Sequence, residues 1–124
     1  MKALLIASAL LGFAATHALA DGDPAKGEKV SKQCAACHSF EGKTNKVGPY
    51  LTGVVGRPVA TAEGYSYSDA MKAFAATGTK WDEATLDKYL AKPREVVPGT
   101  KMSFAGLKKD DQRADIIAYL KTKM

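Results

Sequence analysis

Both cysteines of the chain and one of its two histidines lie within five residues, CAACH at positions 34–38. Two thiols three positions apart, with an imidazole directly after the second, suit four kinds of chemistry. These are a disulfide, half of a zinc site, a thiol redox centre and a tether for a haem group. The rest of the chain has to decide between them.

Three of these alternatives fit the chain poorly. A structural zinc site needs four ligands, and Cys34, Cys37 and His38 are the only Cys or His ligands left if residues 1–20, which contain His17, are removed. A redox Cys-x-x-Cys typically opens a helix in a βαβ unit, whereas this one lies near the predicted end of a helix. A disulfide over so short a loop would stabilise the fold little and would leave His38 without a role.

The haem tether uses all three side chains. Two thiols add across the two vinyl groups of haem, and the adjacent histidine ligates the iron. We therefore predict one haem c per chain, bound covalently through Cys34 and Cys37, with His38 as one axial ligand of the iron.

Residues 1–20 have the pattern of a secretory signal peptide. Lys2 gives a positive start, an apolar run follows, and Ala18 and Ala20 frame a small-x-small cleavage site. The apolar run is too short for a transmembrane span. We predict a cleaved signal peptide at 1–20, a single domain at 21–124, and a periplasmic protein.

No other histidine remains after cleavage, so a second histidine ligand is excluded and we expect a methionine sulfur as the second axial ligand. Met124 is terminal and Met71 lies on a predicted helix, whereas Met102 follows the Pro98–Gly99 turn in PGTKMSF, where Phe104 can shield the iron. Iron ligated by His38 and Met102 has no open position, which favours electron transfer over catalysis and predicts that the protein is not an enzyme. The alternatives are a haem enzyme or sensor with a labile sixth ligand, and a thiol-disulfide oxidoreductase.

The pattern of caps and breakers predicts an all-α fold of about four to five helices. We expect helices over 24–37, 68–76 and 82–92, the last ended by Pro93, and a final helix from 110 or 111. The glycine-rich stretch 39–66 is long for a loop unless it wraps a cofactor.

Taken in order, the segments GDPAKGEKV, CAACH, KVGPYLTGVVGR, GYSYSDAMK, WDEATLDKYLAKP, VPGTKMSFAG and DIIAYLK resemble the class I c-type cytochromes. The likeness is to the bacterial cytochrome c2 type and to mitochondrial cytochrome c, and it covers nearly all of residues 21–124. It implies the cytochrome c fold wrapped around one covalent haem.

The resemblance also implies roles for single residues. The Pro49 carbonyl would accept a hydrogen bond from His38, and Gly27 and Tyr119 would lie where the first and last helices cross. The remaining residues implied to line the haem pocket or contact its propionates are Arg57, Tyr67, Trp81, Tyr89, Thr100 and Phe104.

The chain departs from the family pattern at three places. Ser31 lies where a phenylalanine is common, so Val30 is expected to take over its packing. Met71 replaces an asparagine of a buried water network, and Asn45 replaces a histidine of the mitochondrial chains.

The formal net charge of +5 is spread along the chain without a dense Arg/Lys stripe, which disfavours nucleic-acid binding. The resemblance implies a monomer that docks transiently, through basic residues, with a cytochrome bc-type complex, a terminal oxidase, a photosynthetic reaction centre or a periplasmic dehydrogenase. The candidate docking residues are Lys29, Lys32, Lys46, Arg94, Lys101, Lys108 and Lys109.

Overall fold

The computed structural model describes residues 21–124, so the predicted signal peptide lies outside the described residues. Within this described range, five helices follow one another: α1 Pro24–Ser31, α2 Asp69–Ala75, α3 Glu83–Ala91, α4 Pro93–Val96 and α5 Asp110–Lys121. Over residues 21–124 the only β-structure is an isolated bridge between Pro58 and Lys80. The predicted all-α fold is confirmed, and no helix in this range is long and apolar enough to cross a bilayer.

Three helices begin at side chains that accept hydrogen bonds from the first free backbone N–H groups. Asp23 caps α1 through Ala25 N, Ser68 caps α2 through Met71 N at 3.1 Å, and Asp82 caps α3. Such caps satisfy donors that have no partner inside the helix. The starts of these helices therefore follow directly from the sequence.

The predicted end of α1 was wrong, the predicted end of α3 before Pro93 was right, and the short helix α4 was not predicted. Helix α1 ends at Ser31 rather than continuing to residue 37, because Cys34 N and Cys37 N bond to carbonyls only three residues back, at 2.9 and 3.1 Å. Such bonds belong to tight turns rather than to an α-helix. Pro93, expected only to end α3, also starts the short helix α4 as its first residue, a position where proline loses no hydrogen bond.

Helices α1 and α5 cross with their backbones in close contact. A Cβ placed on Gly27 would lie 1.9 Å from the Asp115 carbonyl oxygen and 2.7 Å from Tyr119 Cβ. Asp23 N also donates to the Asp115 carboxylate at 2.8 Å. Glycine is thus required at position 27, as the resemblance implied.

The apolar core lies between this crossing and α3. It contains Val54, Val59, Trp81, Leu86, Tyr89, Val97, Leu107, Ile116, Ile117 and Leu120. Val30 packs against it, as expected, while Ser31 is buried and donates to the Glu28 carbonyl at 2.6 Å.

One buried cation ties α5 to its neighbours. Arg113 donates to the Asp87 carboxylate of α3 at 2.8 Å, to the Leu107 carbonyl at 2.7 Å, and to Asp110. Next to Leu107, Gly106 adopts φ +110°, and a Cβ there would lie 2.2 Å from the Ala91 carbonyl oxygen. Leu107 N donates to the Leu90 carbonyl at 2.7 Å. The chain after Met102 is therefore fixed against the end of α3.

Candidate functional site

His38 is held in one orientation by its backbone neighbours. Its Nδ1 lies 2.7 Å from the Pro49 carbonyl oxygen, which can only accept, so Nδ1 carries the proton and Nε2 keeps its lone pair. A Cβ on Gly48 would lie 2.4 Å from His38 Cε1, so glycine lets the backbone pack against the ring. Burial lowers the pKa of His38, and Lys46 lowers it further, while the bond to Pro49 opposes both. A neutral imidazole with a free Nε2 is the form that binds a metal.

The two cysteines follow α1 on consecutive turns and are not joined by a disulfide. Burial raises the pKa of Cys34, and the neighbouring Cys37 raises it further. A thiol redox centre needs the opposite shift, because its thiolate is the attacking form. Across residues 21–124, no three Cys, His, Asp or Glu side chains gather in a group able to hold a metal ion.

Met102 lies in an irregular segment between α4 and α5. Its backbone N–H donates to Thr100 Oγ1 at 3.3 Å, and the Tyr89 hydroxyl donates toward its sulfur at 3.9 Å. Burial raises the pKa of Tyr89, although the nearby Thr100 hydroxyl opposes the shift. Tyr89 therefore stays protonated and can act as the donor.

The other methionines in this range lie in different surroundings. Met71 is half-buried on α2 and packs against the core, and Met124 is 76% exposed at the end of the chain. Phe104 is half-buried near Met102 and also packs against the core. Among the methionines of residues 21–124, only Met102 has a hydrogen bond to its sulfur.

Arg57 has an unused donor. Its two terminal nitrogens donate to the Thr52 and Tyr50 carbonyls, both at 3.2 Å, but its buried Nε has no partner among residues 21–124. Burial also lowers the pKa of Arg57 below its ordinary value. A buried guanidinium with a free N–H fits a carboxylate partner such as a haem propionate, so this part of the site suits the predicted cofactor.

Trp81 and Tyr67 both lie close to Arg57. Trp81 N donates to the Arg57 carbonyl at 2.8 Å, and its ring lies 4.8 Å from the Tyr89 ring. Burial raises the pKa of Tyr67, while the Arg57 charge lowers it, and the Tyr67 hydroxyl accepts from Ala62 N at 2.9 Å. The fold thus brings these residues together.

Two tyrosines at the site received no role from the sequence. The Tyr50 ring lies 5.1 Å below the Arg57 guanidinium, and its hydroxyl accepts from Glu63 N at 3.0 Å. The Tyr65 hydroxyl donates to the Val47 carbonyl at 2.8 Å. The sequence offered one signal for each: Tyr50 directly follows Pro49 in GPYL, and Tyr65 lies two residues before Tyr67 in GYSY.

The candidate docking residues are all exposed. Two of them nevertheless bond to backbone carbonyls at their ammonium groups. Lys46 donates to the Ala35 carbonyl at 2.7 Å, and Lys101 to the Ser66 carbonyl at 2.8 Å. Each of these two exposed ammonium groups therefore has a specific backbone partner within the protein.

Comparison with known proteins agrees with this geometry. The family model described as cytochrome c matches residues 24–123. The chain belongs to the cytochrome c family.

Its similarity extends to individual family members from several organisms. The chain is 54% identical to cytochrome c2 of Rhodomicrobium vannielii over 125 residues, which is 99% of this chain and 95% of that protein. It is 48% identical to cytochrome c of Stellaria longipes, covering 81% of this chain and 92% of that one. Among solved structures, cytochrome cH from Methylobacterium extorquens is 51% identical with a TM-score of 0.76, covering 82% of this chain and all of that one.

Proposed function

We propose that residues 21–124 form a monohaem electron carrier with histidine and methionine axial ligands. The observation that carries the proposal is the pair of oriented side chains, His38 bonded to the Pro49 carbonyl and Met102 approached by the Tyr89 hydroxyl. The relatives named cytochrome c and cytochrome c2 support it.

Each residue has a separate task. Cys34 and Cys37 would hold haem c covalently, which supplies one-electron Fe(II)/Fe(III) cycling when bound. His38 would ligate the iron through Nε2, because the bond to the Pro49 carbonyl fixes the tautomer and the ring direction. The free Nε–H of Arg57 would pair with a propionate, which lowers the cost of burying that charge.

Met102 decides between a carrier and an enzyme. A thioether that fills the sixth position leaves none for oxygen or peroxide, and a neutral sulfur ligand raises the reduction potential. The Tyr89 hydroxyl orients that sulfur through a weak bond. The same two ligands would serve the ferric and the ferrous iron, so little reorganisation would accompany the electron, which suits fast electron transfer and disfavours the enzyme or sensor alternative.

We further propose that the protein is exported to the periplasm, loses residues 1–20 and works there as a soluble monomer. Its partners would be a cytochrome bc-type complex, a terminal oxidase, a photosynthetic reaction centre or a periplasmic dehydrogenase. The exposed basic residues would guide it to acidic surfaces on these complexes.

Replacing Met102 tests the proposed ligation. We expect Met102→Ala to remove the weak far-red sulfur-to-iron absorption of the ferric protein, to let carbon monoxide bind the ferrous form, and to lower the potential by on the order of 100 mV, a fraction of the range that axial ligands span. Visible spectra and redox titration measure these changes.

Met71→Ala is the matched control, because it also deletes a half-buried methionine. It should keep the far-red band and exclude carbon monoxide. Loss of the band in Met71→Ala with retention in Met102→Ala would transfer the ligand role to Met71. A wild-type spectrum without this band would favour the haem enzyme or sensor.

Charge reversal tests the docking surface. We expect Lys32→Glu to slow reduction by an acidic redox partner several-fold at low salt and hardly at all at 0.5 M salt, because screening removes the contribution of exposed charges. Lys72→Glu, an exposed lysine on α2 outside the docking set, is the control. Equal effects of the two variants would argue against a localised docking surface.

A further inference from the structure

Tyr65 lies between the two segments that carry the candidate axial ligands. Its hydroxyl donates to the Val47 carbonyl at 2.8 Å, and its ring lies 4.6 Å from the Lys101 ammonium group. Lys101 in turn donates to the carbonyl of Ser66, the next residue, at 2.8 Å. A stretch of two residues, Tyr65 and Ser66, therefore contacts both segments.

The segment on the histidine side depends on backbone contacts at this point. Val47 is 76% exposed, so packing of its side chain does not hold the backbone in place here. Gly48 and Pro49, which follow it, pack on His38 and accept its hydrogen bond. The bond from Tyr65 to Val47 thus restrains the backbone one residue before the His38 contacts.

The segment on the methionine side is held in a similar way. Lys101 directly precedes Met102, and both Lys101 and Ser103 are exposed. A cation within about 6 Å of an aromatic ring centroid is attracted to it, and the bond to Ser66 adds direction. Lys101 therefore anchors the Met102 segment to the Tyr65 ring and backbone.

We propose that Tyr65 and Lys101 form a clasp that ties the Met102 segment to the His38 segment, which makes Tyr65 a positioning residue for both axial side chains. The inference rests on the proposed haem ligation. It gives Lys101 a task inside the protein besides partner docking.

Competition by imidazole for the ferric iron measures how often Met102 leaves. At pH 7 and fixed salt, we expect Lys101→Met and Tyr65→Leu each to accelerate imidazole binding about 2- to 10-fold, the range expected for the loss of one hydrogen bond or contact. The acceleration of imidazole binding in the double variant should be smaller than the product of the two single accelerations, because each single variant already opens the same clasp.

The controls are Lys72→Met and Tyr119→Phe. Lys72 is exposed on α2, and the Tyr119 hydroxyl makes no hydrogen bond among residues 21–124 although its ring also faces a lysine, Lys123. Both should bind imidazole at nearly the wild-type rate. Single variants that match these controls, or effects that multiply in the double variant, would overturn the clasp.

Backbone hydrogen exchange is a second test of the clasp, and it does not depend on whether Met102 ligates the iron. Tyr65→Phe removes only the bond to Val47, so independent contacts would loosen residues 43–50 alone. The clasp predicts faster exchange in residues 98–105 as well. Unchanged exchange there would overturn the coupling. If the wild type lacks the far-red band, the ligation proposal fails, and the exchange pattern alone decides the clasp.

Discussion

The crossing of α1 and α5 and the segment that carries Met102 are held in place by different means. At the crossing, two backbones approach so closely that position 27 has no room for a Cβ. The Met102 segment has no regular structure, and single hydrogen bonds restrain it: Met102 N to Thr100 Oγ1, the Tyr89 hydroxyl to the Met102 sulfur, and Lys101 to the Ser66 carbonyl. Close packing fixes the crossing, whereas the proposed ligand lies in a segment that single weak contacts hold against the edge of the core.

Gly27→Ala should have the largest effect on stability. It disturbs only the crossing of α1 and α5. The new Cβ would overlap the Asp115 carbonyl oxygen, and we expect a loss of about 3 kcal/mol or more in the free energy of unfolding. Denaturant unfolding of the haem-loaded protein measures it.

The comparison also predicts what Gly27→Ala leaves unchanged. Molecules that remain folded should keep the far-red band and the wild-type potential. Gly42→Ala is the control, since its Cβ would meet nothing within 4 Å and only the backbone at φ +63° is strained. A shifted potential in folded Gly27→Ala protein would mean that the two regions are coupled.

Removing the Asp82 cap should have a smaller effect than Gly27→Ala, because the cap lies at the surface. Helix α3, which it caps, contacts both regions. Asp82 accepts from Thr85 N at 2.7 Å, and this contact with Thr85 lowers the pKa of its carboxyl. Asp82→Ala should cost about 1 kcal/mol at pH 7.

The pH dependence of the cap follows from the same shift. Because the folded pKa lies below the unfolded one, the stabilisation is present above about pH 4 and is lost as the pH falls through the folded pKa. Asp82→Asn keeps a capping oxygen without titrating, so its stability should fall less between pH 5 and pH 2. Parallel pH curves for wild type and Asp82→Asn would contradict this contribution.

Local chemistry was enough to predict most of the helices. The caps Ser68 and Asp82 mark the starts of α2 and α3, and the family resemblance was confirmed by the match over residues 24–123. The end of α1 was missed because the turns through Cys34 and Cys37 carry no glycine or proline to announce them. Helix α4 was missed because proline was treated only as a terminator.

The site was predicted less completely than the fold. The hydrogen bond between His38 and Pro49 is present as expected, while the ligand roles of His38 and Met102 stay predictions. Tyr65 and Tyr50 were missed because their partners, Val47 and Arg57, are chosen by the path of the 39–66 loop in space. Spacing along the chain does not reveal which carbonyl a tyrosine hydroxyl will reach.

The attachment of Gly106 and Leu107 to the end of α3 also affects how the iron would exchange ligands. With Leu107 fixed to α3 and Thr100 N bonded to the Val97 carbonyl at 3.0 Å, both ends of the Met102 segment are anchored. A sulfur that leaves the iron would therefore stay nearby, at an effective concentration in the millimolar range or above. A small molecule with the same affinity for the iron would have to exceed that concentration to displace it.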